Sequence, residues 1–136
     1  MLLLPLIFSC DKDSGKRNVN PFIPDYSFSV SIDTNLPSYT PLTIPMNPVL
    51  VNIEGAGVNG VIIMKISDTD FRAWEANCPN QYPSDCSRMT ISITSSNATC
   101  PCDGFTYNLI TGVGDGQYTL KPYAVEVQGT VLRIYN

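Results

Sequence analysis

The chain has 136 residues, of which only 15% are charged, and a formal net charge of −4 at pH 7. That length suits one domain with a real hydrophobic core, and eight scattered Lys and Arg exclude the clustered basic surface that nucleic acid requires. Histidine is absent, which excludes Ser–His–Asp and Cys–His catalysis and every metal site built on imidazole. No carboxylate pair stands out as a catalytic dyad, so no catalytic residue is assigned and the chain reads as a non-enzyme. Val, Ile, Thr, Tyr and Phe are plentiful while Glu occurs three times against nine Asp, a composition that favours strands over helices.

The chain opens on "MLLLPLIFSC" (1–10), an apolar run that ends at Cys10 and gives way at once to polar "DKDSGKRNVN" (11–20). A spanning helix needs about 20 apolar residues, so this run suits the h-region of an export signal, expected to be incomplete at its start because the basic n-region is missing. "IFSC" resembles a lipobox, the bacterial lipoprotein signal whose cysteine becomes the lipidated mature N-terminus. The resemblance implies that Cys10 carries the lipid and that residues 11–20 form a tether. "CDKD" also resembles the surface-export tag of Bacteroidetes lipoproteins. The implied location is lipid-anchored on a bacterial outer membrane, at its periplasmic or surface face. Four cysteines then remain, Cys78, Cys86, Cys100 and Cys102. An even number in an exported chain suggests disulfides, with three connectivities open on the residues alone.

Six prolines crowd residues 21–48, so 21–46 reads as an extended, edge-like segment packed on the domain, since proline lacks a central strand's donor. Inside it "YSFSVSI" (26–32) alternates as a half-buried strand does. "PVLVNI" and "GVIIMKI" follow, joined by the glycine-rich turn "EGAGVNG", which lacks the lysine and following helix of a phosphate loop. "FRAWEANC" (71–78) reads as a strand that delivers Cys78 to a loop, with Trp74 in the core. Asp68 and Asp70 mark a turn rather than a calcium loop. "MTISIT" (89–94) is a further strand, and "SSNATCPCDG" a second cysteine loop. "FTYNLITG" is a short strand and turn, and "YAVEVQGTVLRIY" a hairpin about Gln128-Gly129. Short strands without sustained helical periodicity indicate an all-β sandwich or small barrel. Tyr82, Tyr107, Tyr118 and Tyr123 could supply an exposed patch near the cysteines, although half-buried positions are commoner for tyrosine in β proteins.

Two cysteine loops after strands, a second loop reading Cys-Pro-Cys-x-Gly, then an aromatic strand, "TG", "LKPY" and a terminal hairpin, resemble the Rieske iron–sulfur domain over residues 47–136. The resemblance implies a Rieske-like antiparallel fold with both cysteine loops at one end. In that family each loop supplies one cysteine and one histidine to a [2Fe–2S] cluster. The cysteine-ligand positions fall on Cys78 and Cys100, and the histidine positions on Asn80 and Asp103. The positions of the family's loop disulfide fall on Cys86 and Cys102, with a longer gap from Cys78 than is usual. Both imidazoles are therefore missing, and the resemblance implies pairing of Cys78 with Cys100 and of Cys86 with Cys102. The expectation is a membrane-anchored domain that has lost its cluster and serves a binding or structural role, with no cofactor or metal. The alternatives are electron transfer by an atypical [2Fe–2S] centre and thiol–disulfide chemistry at Cys100-Pro101-Cys102.

Overall fold

The computed structural model describes residues 20–136, apart from Ile93. The proposed signal, Cys10 and residues 11–19 of the tether lie outside the described residues. Nine strands are described: β1 (Ser29–Asp33), β2 (Val49–Val51), β3 (Val61–Ser67), β4 (Asp70–Glu75), β5 (Thr90–Ser92), β6 (Asn97–Thr99), β7 (Thr106–Asn108), β8 (Pro122–Gln128) and β9 (Val131–Tyr135). They form a six-stranded sheet in the order β1-β9-β8-β4-β3-β2 and a three-stranded sheet β5-β6-β7, with every pair of neighbouring strands antiparallel. Among the described residues no helix is long and apolar enough to cross a membrane.

β3 explains how these sheets are joined. Its run "VIIM" is wholly buried, as a strand covered on both faces must be. Val61 and Ile63 face a core shared with Ile32, Val49, Val51, Ala73, Leu132 and Ile134. The intervening Ile62 and Met64 face a second core with Trp74, Ala76, Met89, Ala98, Tyr107, Leu109 and Leu120. The period-two alternation of side chains thus sends one strand's residues to two cores. Register carries the division to β4, where Ile63 opposes Ala73 and Ile62 opposes Trp74. Trp74 is buried, and its indole nitrogen donates to the Leu109 carbonyl oxygen at 2.9 Å, which removes the cost of burying that donor.

The proline-rich segment is not extended throughout. β1 forms an edge of the large sheet against β9, but Pro37–Thr43 is a 3₁₀ helix that buries Leu42. Pro37 enters the helix at its start, where a missing N–H is no loss and the fixed φ already suits a helical turn. β6 lies within the stretch expected to be loop, because Asn97–Thr99 gains partners on both sides, β5 and β7. The terminal hairpin turns at Gly129-Thr130, one residue later than the sequence suggested, since Gln128 still pairs with Val131.

Candidate functional site: the cysteine tip

Two hairpin-like loops form the tip. The first leaves β4 and is closed at its base by Met89 N–H to Ala76 O at 2.9 Å and Cys78 N–H to Ser87 O at 2.6 Å. The second joins β6 to β7 and is closed by Cys100 N–H to Phe105 O and Gly104 N–H to Cys100 O, both at 2.8 Å. Two disulfides cross between the loops, Cys78–Cys100 with Cα atoms 5.6 Å apart and Cys86–Cys102 with Cα atoms 5.1 Å apart. Their surroundings differ sharply. Cys78 and Cys100 are wholly buried members of the second core, whereas Cys102 is half-buried and Cys86 exposed.

Asn80 and Asp103, at the positions where the Rieske resemblance places histidines, are engaged elsewhere. The Asn80 side-chain amide donates to the Tyr107 hydroxyl at 2.7 Å and the Tyr118 carbonyl at 3.1 Å, while its oxygen accepts from the Tyr118 N–H at 3.0 Å. Asn80 therefore bridges the first loop to β7 and to Tyr118. Gly116 is required for that approach, because a Cβ there would sit 2.0 Å from the Asn80 side-chain nitrogen. Burial pushes the Tyr107 phenol above its usual range, against the opposing effect of the Asn80 hydrogen bond. Asp103 accepts from the Phe105 N–H at 2.9 Å and from the Gln81 amide at 3.0 Å. It caps its own loop and ties it to the first.

Sequence reasoning missed Glu75. Its side chain is fully buried and accepts four hydrogen bonds: Val58 N–H at 2.6 Å, Asn59 N–H at 2.9 Å, Asn77 N–H at 2.8 Å and the Tyr123 hydroxyl at 2.6 Å. Hydrogen bonds of this kind substitute for water around a buried carboxylate. The glycine-rich turn wraps this group, with Gly57 at φ 61°, where a Cβ would lie 2.5 Å from a Glu75 oxygen. Asn59 then reaches Asn77 and Ser87 at 3.3 Å, and Ser87 donates to Asn77 at 2.6 Å. The buried carboxylate thereby anchors the base of the first cysteine loop. The signal available in sequence was the lone acidic residue in "FRAWEANC", two residues beyond core-facing Ala73.

The tyrosine patch contracts. Tyr107 and Tyr123 are buried, and only Tyr82, 65% exposed, and half-buried Tyr118 reach the surface. Phe22 packs edge-on against both, with centroids 4.7 and 5.9 Å away, and Asn20 donates to Pro79 O at 2.6 Å. The entering chain therefore lies against the cysteine tip.

Two antiparallel sheets with paired cysteine loops at one end constitute a Rieske-like fold. No family model and none of the curated proteins match this chain. Among solved structures it is similar to the cyanobacterial plasma membrane Rieske protein PetC3 from Synechocystis PCC 6803, at 18% identity and TM-score 0.50, covering 65% of this chain and 85% of that one. It is also similar to the apo form of the quaternary ammonium Rieske monooxygenase CntA, at 15% identity and TM-score 0.55, covering 84% of this chain but only 34% of CntA. Likeness at such identity speaks for the fold, and function has to be argued from the site.

A Rieske cluster is held by two thiolates on one iron and two imidazoles on the other. Here both candidate thiols are bonded to each other, and the places of the imidazoles hold an amide with three hydrogen bonds and a carboxylate with two. An amide is in any case a poor ligand for iron. Among the described residues no group of three or more His, Cys, Asp or Glu is arranged to hold a metal ion. The residues present do not fit the cluster.

Proposed function

We propose that this chain is an exported, lipid-anchored protein whose Rieske-like domain works without an iron–sulfur cluster, as a non-enzymatic binding or structural module. One observation carries the reading: the Cys78–Cys100 bridge consumes the two thiols that a cluster would need. Asn80 and Asp103 support it, because each joins elements of the tip by hydrogen bonds where the family would use metal coordination. Two disulfides suit an oxidising compartment, and the run ending at Cys10 supplies the anchor in this reading. The membrane is the assigned partner, through the lipid.

The deciding experiment combines iron analysis, visible absorbance and a free-thiol count on the purified protein. Colourless protein with Cys78, Cys86, Cys100 and Cys102 all oxidised is expected. Stoichiometric iron with a [2Fe–2S] spectrum would instead establish the second reading, electron transfer, which the Rieske-like fold favours. Anchoring is tested separately: with a complete signal, Cys10→Ala should abolish acyl labelling and membrane retention, and unchanged labelling would refute it.

A further inference from the structure

We propose that the Cys86–Cys102 disulfide is a thiol-exchange site, opened by an external thiolate that attacks Cys86 while Cys78–Cys100 stays closed. Exchange requires the thiolate to reach a disulfide sulfur. Cys86 is exposed, whereas Cys78 and Cys100 have no exposed surface. An attacking thiol therefore meets one bridge directly and reaches the other only after the second core opens.

The surroundings of the outer bridge match this role. The Ser84 hydroxyl lies 3.5 Å from the Cys86 sulfur and 3.7 Å from the Cys102 sulfur. Its turn is held by Ser84 N–H donating to Ser87 Oγ at 2.7 Å. A hydroxyl fixed there can donate to a leaving thiolate. In the first step the attacking thiolate bonds to Cys86 sulfur, the Cys86–Cys102 bond breaks, and Cys102 departs with the electron pair. A second external thiolate then attacks the mixed disulfide, releasing Cys86 as thiolate and the external pair as their own disulfide. Both cysteine thiolates take protons from water.

Opening the outer bridge leaves the tip assembled. The inner disulfide, the three Asn80 hydrogen bonds and the Gln81–Asp103 contact still cross from the first loop to its neighbours. The exchangeable bond is thus mounted on a scaffold that does not depend on it.

The full chain, oxidised and folded, is treated with 2-mercaptoethanol, quenched with N-ethylmaleimide at intervals, and mapped by peptide mass spectrometry. Cys102 should become alkylated, and Cys86 should carry the first mixed disulfide. Both should react at least about 100-fold faster than Cys78 and Cys100, as expected when only the inner pair needs local unfolding. Trp74 fluorescence should stay native through this phase, and replacing the thiol with its own disulfide should restore the bridge by the reverse exchange. Ser84→Ala should slow opening about threefold to tenfold, the effect of losing one hydrogen bond to the leaving group. The proposal is overturned if all four cysteines react at one rate, if neither bridge opens before the domain unfolds, or if the first adduct maps to Cys102.

Discussion

Removing the inner bridge should cost more stability than removing the outer one, and the difference should come from burial rather than from chain entropy. The two bridges span sequence separations of 22 and 16, which the chain-entropy relation converts to about 3.4 and about 3.1 kcal/mol for each bridge acting alone. A variant lacking one bridge keeps the other, so the entropic penalties of Cys78→Ala/Cys100→Ala and Cys86→Ala/Cys102→Ala differ by only about 0.3 kcal/mol. The environments then decide. Cys78 and Cys100 are fully buried in the second core, and deleting a buried sulfur leaves a void that costs about 1 kcal/mol at each position. At the half-exposed outer bridge most of that space belongs to solvent. The inner double variant should therefore be about 2 kcal/mol less stable than the outer one. Urea unfolding of both variants under non-reducing conditions measures the difference from midpoints and slopes. Equal stabilities, or a less stable outer variant, would refute the assignment of the inner bridge to the core.

The buried carboxylate gives a second expectation: Glu75→Gln should destabilise by about 2–4 kcal/mol in urea, because an amide cannot accept from all the donors now converging there. Gly57→Ala should act at the same place, since its φ is left-handed and its new methyl would meet a Glu75 oxygen. A loss below about 0.5 kcal/mol in either variant would mean that the turn rearranges freely. Alkali supplies a third test. Burial first, and then the neighbouring Glu75, holds the Tyr123 phenol far above the ordinary 10.0, and burial raises Tyr107 in the same direction. The stability from keeping these groups neutral is fully present below about pH 10 and is lost as pH rises towards the folded values. Urea midpoints should fall from about pH 10 upward, and less steeply in Tyr123→Phe. Fourth, Asn80→His combined with Asp103→His should yield no iron–sulfur spectrum in protein assembled oxidatively, and should yield one only when Cys78 and Cys100 are kept reduced during assembly. A spectrum in the oxidised variant would contradict the claim that the bridge consumes the ligands.

Much of the architecture was legible because strands announce themselves locally. The alternation in "YSFSVSI" and the continuous apolar run in "GVIIMKI" follow from side chains pointing to opposite faces at period two. The first has one covered face and the second has two. The absence of histidine was legible at the same level. No fold can supply an imidazole that the chain lacks, so composition alone excludes the ordinary Rieske ligand set.

Neighbours distant in sequence decided the rest. "SSNATCPCDG" carries little strand propensity, yet Asn97–Thr99 becomes β6 because β5 and β7 flank it. Pro37–Thr43 bends into a 3₁₀ helix because burying Leu42 outweighs the extended preference of a proline-rich segment. Glu75 looked like any polar residue on a strand until the turn at 56–60 closed over it with backbone N–H groups. Four cysteines admit three pairings whatever their spacing, because connectivity depends on which sulfurs the loops bring within bonding reach. The contrast between a sealed bridge and an open one is likewise tertiary: burial belongs to the packing around a residue, and the letters Cys-Pro-Cys carry no record of it.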